Sequence, residues 1–168
     1  MTRRPSKIPP PIPKPKAGDV VLGRYRILTR VGRIGFRTTY RAQREGLDEI
    51  FLVTCFDPKS VRSENGAEAR FQAAVSQISR LKHPNTVALV DSGVSDSGML
   101  IAVTALPPGV PIGTHLSGRQ LSVDEALVFT RQLFHSLDEA HGMGILHGDL
   151  CSEHVLLDAD LGLRVLDY

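Results

Sequence analysis

The side chains able to do chemistry crowd one end of the chain: His147-Gly148-Asp149-Leu150-Cys151-Ser152-Glu153-His154-Val155-Leu156-Leu157, then Leu166-Asp167-Tyr168. Carboxylates such as Asp149 and Asp167 accept protons or hold hard cations through oxygen. His154 offers an imidazole, which suits zinc, copper or nickel better than magnesium, and a hydrogen-bonded loop histidine is its simpler role. Cys55 and Cys151 lack the paired spacing of a disulfide framework or zinc site, which favours a reducing cytoplasm.

The elements that must position these residues are legible from pattern. Tyr25 to Leu28 alternates, a turn is expected between Gly32 and Gly35, and Thr38 to Ala42 reads as the returning strand. Ile50 to Phe56 is a continuous apolar run suited to a buried strand and closed by Asp57-Pro58. A helix is predicted over 67–81, with Phe71, Ala74, Val75, Ile78 and Leu81 on one face, ended by His83-Pro84-Asn85. Two short strands are expected over 86–91 and 99–104, then a hinge at Leu106-Pro107-Pro108-Gly109. Ser122 and Glu125 form a capping box for a helix whose inward face is predicted to be Ala126, Leu127, Thr130, Leu133, Phe134, Leu137 and His141; Gly142 and Gly144 stop it.

Composition sets the outer bounds. The 168 residues are 42% hydrophobic, enough for a real core. The formal charge of +2 hides an asymmetry: Arg3, Arg4, Lys7, Lys14 and Lys16 stand in the first sixteen residues without an acid. With Pro5, Pro9, Pro10, Pro11, Pro13 and Pro15, residues 1–22 read as an extended, disordered, basic leader. No run has the apolar core of a signal peptide or membrane-spanning length, and no nucleic-acid partner is expected.

The order of these elements, with Gly23-Arg24-Tyr25, Val31-Gly32-Arg33, His83-Pro84-Asn85, Gly144-Ile145-Leu146-His147 and Asp149-Leu150 at matching spacing, resembles the bacterial Hanks-type serine/threonine protein kinases. His-Gly-Asp also occurs in kinase-like small-molecule phosphotransferases, but the Gly-Arg-Tyr and His-Pro-Asn segments favour the protein-kinase branch. The resemblance implies an α+β fold: a small lobe of antiparallel sheet plus one helix over 23–106, then the hinge and an incomplete helical large lobe over 107–168. A kinase of this type needs about 250 residues, so the chain is expected to stop where the activation segment would begin.

Carried over residue by residue, the resemblance makes Asp149 the catalytic base and Asp167 a magnesium ligand, with His154 where the second metal ligand, an Asn, would stand. It places Val31, Gly32, Gly35, Arg37, Thr39, Leu52, Thr54, Thr104, Leu106 and Leu156 on the nucleotide cleft. Several of these depart from the family. Of the three glycines of the phosphate-covering loop only Gly32 remains in register, with Ile34 and Arg37 at the other two positions. Thr54 replaces the lysine that neutralises the phosphates, Ala74 its glutamate partner, and Leu52 the small residue above the adenine. Gly148 replaces the arginine that reads activation-loop phosphorylation, and Cys151 the lysine beside the transferring phosphate. The apolar stack joining the lobes is kept, as Ile78, Leu89, His147 and Tyr168.

Three readings follow. A pseudokinase with a regulatory or binding role fits the loss of charge chemistry. An active, atypical kinase using ATP and magnesium would need Arg37 as relocated phosphate cation. A non-functional fragment would leave apolar faces, such as that of the Ser122 helix, uncovered. Substrate, partner and oligomeric state are not encoded legibly.

Overall fold

The computed structural model of the chain describes residues 12–57 and 66–168. Its first part is a sheet of Val20–Val21 (β1), Tyr25–Ile34 (β2), Arg37–Arg44 (β3), Ile50–Phe56 (β4), Leu89–Val94 (β5) and Leu100–Ala105 (β6), with Ala67–Ile78 (α1) between β4 and β5. The strands run β1-β2-β3-β4-β6-β5, every pairing antiparallel. Alternation decides the core: Tyr25, Ile27, Tyr40, Ala42, Phe51, Val53, Cys55, Ile101 and Val103 all point to one buried side. Burying a large apolar side chain contributes about 1.5–3 kcal/mol, so this layer carries much of the stability of the small lobe.

Four expectations need correction here. The hairpin turn is Gly35-Phe36 rather than Gly32 to Gly35; Ile34 pairs with Arg37, and Gly32 lies inside β2 next to a bulge. A two-residue hairpin needs positive φ at its first central position, and Gly35, at φ 55, supplies it. Helix α1 closes at Ser79, short of Leu81, which is buried beyond it against Ala140 and Ile145. Strand β5 starts at Leu89 rather than 86 because Val165 captures the preceding residues: Thr86 bridges it, Val87 N–H donates to its carbonyl at 2.9 Å, and its own N–H donates to Asn85 O at 2.8 Å. Finally, the folded unit starts before Gly23. Ile12 is buried in the sheet core and β1 pairs with β2; residues 1–11 of the leader lie outside the described residues.

Beyond the hinge, Val110–Pro111 (β7), Val155–Leu157 (β8) and Leu163–Val165 (β9) form a three-stranded sheet, accompanied by Ile112–His115 (α2) and Val123–Gly142 (α3). Gly109 lets the chain enter this sheet: at φ 103, its Cβ would lie 2.4 Å from Leu157 O. The α3 capping box is present, with Ser122 Oγ accepting from Glu125 N–H at 3.2 Å and Glu125 Oε2 accepting from Ser122 N–H at 2.9 Å. The buried face of α3 is Phe129, Ser136 and Ala140, with Leu133 half-buried, whereas Leu127 and Phe134 are 63% and 61% exposed. The helix has two apolar stripes, and the elements present cover the one facing Val155, Leu157, Leu163 and Val165.

Candidate active site

Gly144, in the left-handed region at φ 74, turns the chain out of α3, and buried Ile145 anchors the loop that follows. His147 is nearly buried; its Nε2–H donates to Leu166 O at 2.7 Å, so Nδ1 is left to accept from Asp149 N–H at 3.4 Å. Burial pulls its pKa below the ordinary histidine value of 6.5. The ring lies 5.7 Å from that of His154 and 5.0 Å from that of Tyr168. This histidine is therefore a neutral strut between the loop and the Leu166-Asp167-Tyr168 segment.

His154 ends a single 3-10 turn, Ser152–His154, and its side chain is 4% exposed. Nδ1 lies 2.6 Å from Asp149 O, a carbonyl that can only accept, so Nδ1 carries the proton. Nε2 lies 2.5 Å from Arg37 Nη2, and since a guanidinium only donates, Nε2 is the acceptor. Both ring nitrogens are thereby engaged. Cys151 Sγ approaches Nδ1 at 3.3 Å.

Arg37 is the residue that assembles the site. It sits one position past the Gly35-Phe36 turn, and its side chain, 16% exposed, reaches Asp167 Oδ2 at 3.1 Å and Asp149 Oδ2 at 3.6 Å. Asp149 is the solvent-facing member, 69% exposed. Asp167 adopts φ 62, a left-handed backbone that costs a non-glycine residue about 1–3 kcal/mol. It is held there from both sides. Leu166 N–H donates to His154 O at 2.8 Å, and Tyr168 OH meets Ser136 Oγ at 2.6 Å, which in turn meets Thr86 Oγ1 at 2.8 Å.

Of the remaining positions expected to face a nucleotide, Thr54 and Thr104 line a cavity with Arg37. Thr54 pairs with Thr39 across β3 and β4, their hydroxyl oxygens 3.1 Å apart. Thr54 and Ala74 line one cavity of about 220 Å³ with Arg37, Phe71, Ile78, Leu89, Thr104, Asp167 and Tyr168. The two short side chains thus face the same space between α1 and the sheet. Leu52 and Leu106 are half-buried and Leu156 is buried on β8, while Val31 is exposed on the hairpin. Ile78 and Tyr168 pack on the Leu81, Ala140 and Ile145 cluster, so the interlobe stack is closed at its base and bordered by the cavity above.

Sequence reasoning missed two supports. Ser136 is fully buried and binds the two hydroxyls just named; it lies on the buried stripe of α3, but as a polar residue it gave no hydrophobic signal. Asn85 Nδ2 donates to Leu163 O at 2.7 Å and to Gln132 Oε1 at 3.0 Å, while Gln132 Nε2 donates to Leu161 O at 3.0 Å. That explains what the Asn of His83-Pro84-Asn85 does: it satisfies the carbonyl that opens β9 and orients Gln132, which holds the loop before it.

A small lobe of antiparallel sheet with one helix, a hinge, and a loop presenting Asp149 toward Asp167 defines a kinase-like phosphotransferase scaffold. The family model for protein tyrosine and serine/threonine kinases matches residues 36–168, and the chain belongs to this family. Relatives include the serine/threonine-protein kinase pkn3 of Myxococcus xanthus, 28% identical over 90% of this chain and 28% of its own length. The probable serine/threonine-protein kinase PknB of Lactococcus lactis is 28% identical over 90% of this chain and 24% of its own length. The chain thus spans about a quarter of these curated relatives. Among solved structures, the Mycobacterium tuberculosis PknI kinase domain (C20A_R136A double mutant) superimposes with a TM-score of 0.79 at 24% identity, covering 92% of this chain and 62% of that one. Rad53 1–466 in complex with AMP-PNP gives 0.76 at 19% identity, covering 88% of this chain and 39% of that one. The bacterial Hanks-type resemblance and the incomplete kinase-like α+β fold are thereby established.

Proposed function

We propose that this kinase-family chain is a pseudokinase whose role is regulatory or binding rather than phosphotransfer. The observation that carries the reading is the use made of Arg37: the cation positioned nearest the reacting centre is consumed by Asp149, Asp167 and His154. The lysine position is Thr54, hydrogen-bonded to Thr39, and its glutamate position is Ala74, so no cation is supplied from β4. Preorganised positive charge is the main catalytic device in phosphoryl transfer, and its loss is worth orders of magnitude in rate.

A magnesium ion on Asp167 and the position of His154 fits poorly with these residues. The position of the second metal ligand holds His154, both of whose nitrogens are engaged, and a guanidinium lies within 3.1 Å of Asp167. Among the described residues, no group of three or more His, Cys, Asp or Glu side chains is arranged to hold a metal ion. Two free thiols suit a reducing cytoplasmic setting. No helix among the described residues is long and apolar enough to cross a membrane.

One specific observation favours the active, atypical kinase as a second reading: Arg37 does reach the catalytic centre from the phosphate-covering hairpin. The deciding experiment measures ATP binding with and without magnesium, and phosphate transfer to a generic protein, in the full-length polypeptide. The pseudokinase reading expects no transfer above that of Asp149→Asn. Magnesium-dependent transfer abolished by Asp149→Asn would establish the second reading instead.

A further inference from the structure

The ion cluster at the cleft gathers two carboxylates and a histidine around a single guanidinium. Asp167 Oδ2 and Asp149 Oδ2 converge on the two terminal nitrogens of one guanidinium, at 3.1 and 3.6 Å, and His154 Nε2 caps the same Nη2. Two carboxylates converging on one cation is an arrangement that a divalent ion also commonly bridges. Here the bridging charge is covalently attached to β3, while both acids and the histidine belong to the large-lobe segment.

We propose that Arg37 is a built-in cation that takes the place of a divalent metal on Asp167, excluding the metal and, through its pairing with Asp149, tying the small lobe to the catalytic-like loop. The inference rests on the reading of this site as a degenerate kinase cleft, and adds what occupies its centre. Charge balance supports it. His154 donates one nitrogen's proton and accepts at the other, so it contributes no charge, and Arg37 offsets one of the two carboxylates. Geometry adds to it, since magnesium needs oxygen ligands at about 2.0–2.1 Å in a near-octahedral shell, and the guanidinium fills that side of Asp167. The planar fork of Arg makes two directed contacts at once, which a point charge on Lys would not. Neighbouring packing fixes the fork in place, because Phe36 lies against Phe56 and Phe56 against Phe71, with ring centroids 6.3 and 5.8 Å apart, holding the hairpin tip down toward α1.

The test uses Mn2+ as probe, its free concentration followed by electron paramagnetic resonance in solutions of the full chain. Removing the guanidinium with Arg37→Gln leaves two uncompensated carboxylates, and binding of one Mn2+ is expected to tighten by about 10- to 100-fold. Arg37→Gln combined with Asp167→Asn is expected to lose that gain. Arg37→Met, which keeps the stem and drops the charge, repeats the measurement if the Gln variant does not melt cooperatively. Mn2+ binding by the unaltered chain as tight as that of either neutral variant overturns the proposal, and so does a folded neutral variant that gains nothing. Phosphoryl transfer sinks the pseudokinase reading, whereas tight Mn2+ binding by the unaltered chain without transfer sinks only the built-in cation.

Discussion

At the scale of single residues, environment decides which of several similar groups is reactive. The two thiols are a clear case. Cys55 lies buried in β4, where desolvation pushes its pKa up to about 12, while Cys151 is half-exposed beside His154. A thiol reagent at neutral pH is therefore expected to label Cys151 in the folded chain and Cys55 only after denaturation; equal labelling rates in the native state would contradict this. His147 supplies a pH prediction. Its folded-state pKa lies below 6.5, so the unfolded chain binds this proton first as pH falls, and stability declines from about pH 6.5 down to the depressed folded value. Melting temperature measured across that window should fall with pH, and His147→Asn should flatten the decline.

At the scale of elements, local signals work where the chain needs only itself. The Ser122–Glu125 box is such a signal, and Ser122→Ala is expected to cost about 0.5–2 kcal/mol in urea titration. The carboxylate half of that box is held down to a pKa of about 2, first by the Ser122 backbone N–H and then by Arg119, so the cap persists well into acid. Gly109 is a different kind of element-level requirement, legible in sequence only as a hinge glycine. Any side chain there meets the Leu157 carbonyl in the next strand pair, and Gly109→Ala should destabilise by about 1–3 kcal/mol, seen as an earlier thermal midpoint. An unchanged midpoint would mean that the β7–β8 junction is looser than its 2.4 Å approach indicates.

At the scale of the whole molecule, small polar groups join segments far apart in sequence. Thr86, Ser136 and Tyr168 form one chain of hydroxyls across the small-lobe exit, the middle of α3 and the residue after Asp167. Ser136→Ala leaves buried groups without that partner, and a loss of about 1–3 kcal/mol is expected. Tyr168→Phe should cost less, and a double-mutant cycle by chemical denaturation should show the two coupled; strict additivity would place them in separate environments. The exposed outer stripe of α3, with Leu127 and Phe134, has no counterpart among the described elements, in keeping with a chain that covers 62% of the PknI kinase domain.

By itself the sequence determined the order of the main elements, most strands of the small lobe and both long helices, because periodicity, turn glycines and a capping box act over a few residues; the kinase kinship came from the resemblance of its ordered motifs to a known family. It also named Arg37, Asp149, His154 and Asp167 one by one. Only the tertiary structure decided that these four meet, that strand β5 yields its first residues to Val165, and that α3 buries the Phe129 to Ala140 stripe rather than the Leu127 to Phe134 one. The reason is physical: local patterns fix which surface of an element is apolar and which groups carry charge. Which partner neutralises a charge, or covers one of two apolar stripes, depends on contacts more than a hundred residues apart, as between Arg37 and Asp149.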